Sequence, residues 1–415
     1  MSDSKDCATG CCVPGGVATQ DIVQHPVGGP SASEIAATQE AFKADASKAQ
    51  ASFTTTSTLT HGLHTVVRLG QHTLHVDEPE ALGGTDTGII KHNNTLIHKQ
   101  LHSRDIYIYV YITLKTHNFH VIILVILCVG PNPVELILIA LGTCQEITYK
   151  AYANALGLTL KSASAEVDGK LDLRGFYGVS PYETARPGFS AVSANVTLEL
   201  DATAEQIETL KGAVATACPV KDIIENKVPL TTSVTTVNSE ASTNTGGPSA
   251  ADIQGAQATF TADASAAQAA FKSISKLKYG LATVARVSDG KHTVHVDEPA
   301  ALGGGDTGPN PVELVLAALG TCQEITYKAY SNALGIPLRS AKATVTGDLD
   351  LRGFYGVSPY EEARPGFKQI TVNVELDTPA SAEQIETLKG AVAAHCPVKD
   401  ILENKVPLTT TAVTL

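Results

Sequence analysis

The chain has 415 residues, 43% hydrophobic and 17% charged, enough length and apolar content for two or three packed domains. Aromatic residues make up only 5% and tryptophan is absent, so its cores must be aliphatic, built from Ala, Val, Leu and Ile. A formal net charge of −12 argues against nucleic-acid or anionic-membrane partners, which call for clustered Lys and Arg.

Residues 1–27 read as a disordered tail. "MSDSKDCATGCCVPGG" has neither the basic start nor the apolar core of a secretory signal, so a cytoplasmic location is expected, with an organelle as the alternative. Cys7, Cys11 and Cys12 lie in this Gly-rich stretch without a second ligand cluster to match them. Eight cysteines in the whole chain are too sparse for a disulfide scaffold.

From residue 28 the sequence repeats itself. "GGPSA" recurs at 28 and 246, "HVDEP" at 75 and 295, and "PNPVEL" at 131 and 309. The copies span 28–237 and 248–415, joined by the small polar linker "NSEASTNTGG" at 238–247. Each opens with a helix at a capping-box pair, Ser31…Glu34 and Ser249…Asp252, and in copy two the apolar spacing extends this helix over 248–271. "YGLATVARVSDGKHTVHVDEP" then alternates about "SDGK", a hairpin signal. His72 and His75, like His292 and His295, are three apart and so on opposite strand faces, which suits solvated positions better than metal ligands.

Copy one carries an extra 42 residues, 89–130, rich in Ile, His, Asn and Tyr and devoid of Ala. Three readings stand. A membrane segment is disfavoured, because neither apolar run approaches the roughly 20 residues a spanning helix needs. A β-rich lid is the second. The preferred reading is a retained intron, because removing it joins Gly88 to Pro131 as one glycine and restores "DTGPNPVEL" as in copy two.

The next helix starts at Asn132-Pro133 and Asn310-Pro311, with Glu135 and Glu313 as capping acids. It is apolar almost all round and should be central and buried, with Cys144 and Cys322 inside it. Taken alone, such a cysteine is a small core residue. "SAKATVTGDLDLRGF" and "KQITVNVELD" follow as strands, and "RPGF" (186–189 and 364–367) is a turn between them. A second helix is interrupted at Cys218-Pro219 and Cys396-Pro397, and "TTTAVTL" closes the copy as a strand. Proline suits the first position of a new helical turn, which puts Cys218 and Cys396 at a helix N-terminus, where thiol acidity rises. His395 precedes Cys396, but Ala217 takes its place in copy one, so this histidine is not required at both sites. The order α-β-β-α-β-β-α-β predicts an α+β fold with a largely antiparallel sheet.

"GPNPVELVLAALGTC", "GDLDLRGFYGVSPYEEARPGF" and "AHCPVKDIL" resemble the family of osmotically inducible protein C and the organic hydroperoxide resistance proteins (OsmC/Ohr). The resemblance covers nearly all of each copy after its first helix. It implies two OsmC-like domains, each a sheet wrapped around a central cysteine-bearing helix, paired as an internal pseudo-dimer. It also implies two-cysteine peroxide reduction for oxidative-stress defence. Cys144 and Cys322 would be the attacking thiols and Cys218 and Cys396 the resolving ones. No bound cofactor is implied; a lipoyl-type or similar dithiol reductant would reopen the disulfides. The partners would be a hydroperoxide and a thiol reductant protein.

Peroxidases of that family carry a glutamate directly after Asn-Pro, working with an arginine on the thiol. Here Val134 and Val312 stand in its place, and Arg68, Arg286, Arg174 and Arg352 are the candidate thiolate-orienting arginines. Without a cation, a thiol in an aliphatic pocket has its pKa raised. The alternative function is a non-enzymatic OsmC-like domain that binds a small apolar or electrophilic ligand between its halves.

Overall fold

The computed structural model describes residues 28–79, 84, 102–103, 106–112, 122–127, 130–244 and 246–415. The tail with Cys7, Cys11 and Cys12 lies outside them, as does most of the insertion, Cys128 included.

In copy one, α1 (Ala32–Ala44) precedes an antiparallel run of β1 (Gln50–His61), β2 (His64–Leu69) and β3 (His72–Val76). Strands β4 (His102–Ser103), β5 (Ile106–Ile112) and β6 (Ile122–Leu127) form a separate small antiparallel sheet within the insertion. Then come α2 (Pro133–Ala155), β7 (Thr159–Asp172), the one-turn α3 (Leu173–Phe176) and β8 (Phe189–Asp201). Helices α4 (Ala204–Ala217) and α5 (Pro219–Glu225) lead into β9 (Leu230–Val237). Copy two runs α6 (Ala250–Ala262), β10 (Gln268–Tyr279), β11 (Ala282–Val287), β12 (His292–Val296) and α7 (Pro311–Ala333). It ends with β13 (Ser340–Asp350), α8 (Leu351–Phe354), β14 (Phe367–Asp377), α9 (Ala382–His395), α10 (Pro397–Glu403) and β15 (Leu408–Thr414).

The first helix is shorter than its apolar spacing suggests, and a strand takes up the remainder. At Asp263 the backbone leaves helical geometry, and its carboxylate accepts from the Ser265 N–H to start a separate 3-10 turn. The chain then enters β10, where Ser273 and Ser275 face inward and their neighbours outward. "DLRGF" likewise closes a helical turn rather than extending its strand, because Asp172 and Asp350 cap it.

Two six-stranded sheets result, and neither belongs to one copy. Their orders are β3-β2-β1-β13-β14-β9 and β12-β11-β10-β7-β8-β15. The first strand of each copy pairs antiparallel with a central strand of the other, β1 with β13 (Gln50 opposite Asp350) and β10 with β7 (Gln268 opposite Asp172). The last strand of each copy returns to the far edge in parallel, β9 on β14 and β15 on β8. One continuous apolar core runs through both copies, with α2 and α7 packed against each other at its centre. Both helices carry the expected Asn-Glu capping boxes and begin with proline. Gly142 and Gly320 let them lie close on the sheets: a Cβ there would fall 2.9 Å from Ser275 Oγ and 2.8 Å from Ser57 Oγ. Among the described residues no helix is long and apolar enough to cross a membrane.

Candidate functional site: paired thiols beneath apolar cavities

Cys144 lies midway along α2, and Cys218 is the N-cap residue of α5, with Pro219 in the first turn. Their sulfurs are 3.3 Å apart; those of Cys322 and Cys396 are 3.2 Å apart in the matching place. All four are free thiols and buried. The N-termini of α5 and α10 point at both sulfurs of their pair. The Val398 N–H donates to Cys322 Sγ at 3.5 Å.

The two thiols of a pair differ in acidity. Burial pushes Cys144 and Cys322 well above the ordinary thiol value, and the neighbouring sulfur pushes the same way. Burial also opposes ionisation at Cys218 and Cys396, yet both are lowered. The partner thiol, the backbone N–H of Lys221 or Lys399, the hydroxyl of Thr148 or Thr326, and the lysine charge together outweigh it.

Cys144 and Cys322 each line an apolar cavity, with about 830 and 820 Å³ of empty space including the mouth. Both copies build each cavity. Beside Cys322 stand Ile325, Ala329 and Tyr330 of copy two, with Leu63, Glu78, Val134 and Phe176 of copy one. Beside Cys144 stand Ile147, Ala151 and Tyr152, with Leu281, Glu298, Val312 and Phe354 of copy two. Val134 and Val312 therefore face the cysteine of the opposite copy.

The four candidate arginines do not reach these cavities. Arg68 and Arg286 are exposed on β2 and β11. Arg174 and Arg352 bind Asp172 and Asp350 through two guanidinium nitrogens each. Among the described residues neither cavity is lined by any Lys, Arg or His. His395 stands just outside, stacked on Tyr330 at 5.1 Å, with Nδ1 2.8 Å from the Gly175 carbonyl oxygen. Among the described residues no group of three or more His, Cys, Asp or Glu side chains is arranged to hold a metal ion.

Two features escape a reading of the sequence by itself. Glu78 and Glu298, in the repeated "HVDEP", are the acidic side chains in the cavities. "RPGF" is more than a turn: it clamps the opposite copy's cysteine helix. Arg186 binds Asp400 at 2.6 Å and Arg364 binds Asp222 at 2.8 Å, while Tyr182 and Tyr360 donate to the same carboxylates.

The family model described as OsmC-like protein matches residues 128–233 and 303–411, more than half of the chain. No curated protein matches it. Among solved structures, an OsmC-like protein from Mycoplasma pneumoniae is similar at 18% identity and a TM-score of 0.28, covering 35% of this chain and 96% of its own. A second, from Psychrobacter arcticus 273-4, is described as an osmotic stress induced and detoxification response protein. It is similar at 16% identity and a TM-score of 0.25, covering 34% of this chain and 94% of its own.

Proposed function

Because the chain belongs to the OsmC-like protein family, we propose that its two cysteine pairs reduce organic hydroperoxides. One observation carries this reading: a thiol lining an apolar cavity has a second, more acidic thiol 3.2–3.3 Å behind it. Cys144 or Cys322 attacks the terminal peroxide oxygen, forming an S–O bond, breaking the O–O bond and releasing the alcohol. The resolving thiol of Cys218 or Cys396 then displaces water from the sulfenic acid to close a disulfide. An external dithiol of lipoyl or similar type supplies two electrons and two protons to reopen it, and the low-pKa sulfur is the better leaving group. A cytoplasmic setting would keep that dithiol reduced. The apolar lining favours alkyl and aryl hydroperoxides over hydrogen peroxide, because a bulky tail removes apolar surface from water there.

The test is addition of cumene hydroperoxide to the reduced protein, followed by thiol titration and mass spectrometry of the Cys144–Cys218 and Cys322–Cys396 peptide pairs. Disulfide should form within both pairs, and C322S should abolish it only in the second. Thiols that remain reduced in the wild type refute the proposal. The thiol held protonated by burial favours one other reading, a binder of small apolar or electrophilic ligands. In that case the hydroperoxide would displace an apolar fluorescent probe and oxidise nothing.

A further inference from the structure

We infer that Glu298 and Glu78 are the proton donors of the two sites, each supplied by one copy to the cysteine of the other: Glu298 serves Cys144 and Glu78 serves Cys322. This rests on the peroxide-reduction reading and adds to it the group that protonates the departing oxygen.

The argument begins with placement. Each glutamate lines the cavity that holds the opposite copy's thiol. It is close enough that its charge, when ionised, disfavours ionisation of that thiol. Among the described residues, neither side chain takes a hydrogen bond or an ion pair, so each is available to a ligand.

The backbone around each glutamate is held firmly. The Glu298 N–H donates to Asp297 Oδ1 at 2.9 Å, and its carbonyl accepts from the Asp306 N–H at 3.0 Å. A Cβ on Gly304 would fall 1.8 Å from that carbonyl oxygen, and one on Gly84 would fall 1.7 Å from the Glu78 carbonyl oxygen. Gly304 and Gly84 thus let the chain press directly on the glutamate backbone. Both carboxyls favour the protonated state. Burial comes first among the causes, followed by Asp297 and Glu313 around Glu298, and by Asp77 and Glu135 around Glu78.

The chemistry needs such a group. When the thiol sulfur attacks, sulfur gives up two electrons, the S–O bond forms and the O–O bond breaks. The departing alkoxide would otherwise be released as an anion into an apolar cavity that, among the described residues, no cation lines. The carboxyl proton goes to that oxygen, and the thiol proton returns to the carboxylate. The balance is thiol plus hydroperoxide to sulfenic acid plus alcohol, with no proton taken from solvent.

The experiment uses the full chain as E298Q and E78Q single variants. Cumene hydroperoxide and iodoacetamide are applied separately, and each cysteine pair is followed by peptide mass spectrometry. Iodide leaves without a proton, so alkylation reports thiol ionisation alone. E298Q should slow peroxide oxidation of Cys144 about a hundredfold and leave Cys322 at the wild-type rate; E78Q should do the reverse. Neither should slow alkylation, and the unaffected site in each variant shows that the fold is intact. Three results overturn the inference: unchanged or faster oxidation, equal slowing of both reagents, or slowing at the cysteine of the same copy. A wild-type protein inert to peroxide removes the peroxidase reading as well, whereas a reactive wild type with reactive variants removes only this one.

Discussion

Glu146 and Glu324 follow the cavity-facing cysteines by two residues and are completely buried. One oxygen of Glu324 accepts from Ser57 Oγ and the Ala343 N–H, and one of Glu146 accepts from Ser275 Oγ. Their second oxygens are without partners among the described residues. Burial raises both carboxyls well above their ordinary value, so each binds a proton more tightly folded than unfolded. Stability is then fullest below the unfolded value near 4.5 and falls as pH rises above it. Urea midpoints should decline from pH 5 to pH 8 in the wild type and decline less in an E146Q/E324Q double variant; equal slopes would contradict this assignment. Single residues were legible where chemistry and position coincide. Cysteine-proline at a helix start pointed to an acidic thiol, and the structure places Cys218 and Cys396 there with lowered pKa. Glu298 was not legible, because its partner thiol lies in the other copy and no spacing along the chain records that.

Among the elements, the central helices are fixed by capping at one end and by glycine in the middle. In G320A, a methyl group 2.8 Å from Ser57 Oγ and 3.2 Å from Val345 would push α7 off its sheet and disturb the Ser57–Glu324 bond. Overpacking of this kind costs about 1–3 kcal/mol. Chemical denaturation should show a loss of that size, with slower closure of the Cys322–Cys396 disulfide after oxidation; wild-type stability would show that the helix has room. The sequence displayed these helices clearly, because asparagine, proline and glutamate converge on one start. It hid β1 and β10. Their helix-compatible Ala and Gln run straight on from α1 and α6, and only the aspartate-capped turn between them separates helix from strand.

For the molecule as a whole, the decisive fact is the exchange of strands, reinforced by the Arg186–Asp400 and Arg364–Asp222 pairs, each joining one copy to the other. Asp222 is buried beneath Arg364, so D222A strands a guanidinium that has lost its carboxylate. The Arg364 side chain is 31% exposed and stays hydrated, whereas the buried Gly366 N–H loses its acceptor, which costs about 1–3 kcal/mol. D222A should therefore lower the urea midpoint while keeping a single transition. Two separate transitions would mean that the copies are independent units. The copy number could be read from the repeat and the α+β class from the order of elements, while the pairing of halves was what the family resemblance implied. Which copy owns which strand could not, because duplicated sequences offer each strand two nearly identical partners and only the three-dimensional packing chooses. The exchange also bears on synthesis. When residue 237 leaves the ribosome, β7 still lacks β10 (Gln268–Tyr279) and β1 still lacks β13 (Ser340–Asp350), so the first edge stays open until residue 279 is made and the second until residue 350. Until then the nascent first half exposes backbone that can join a neighbouring nascent chain, which makes this protein a natural client for chaperones that shield sheet edges.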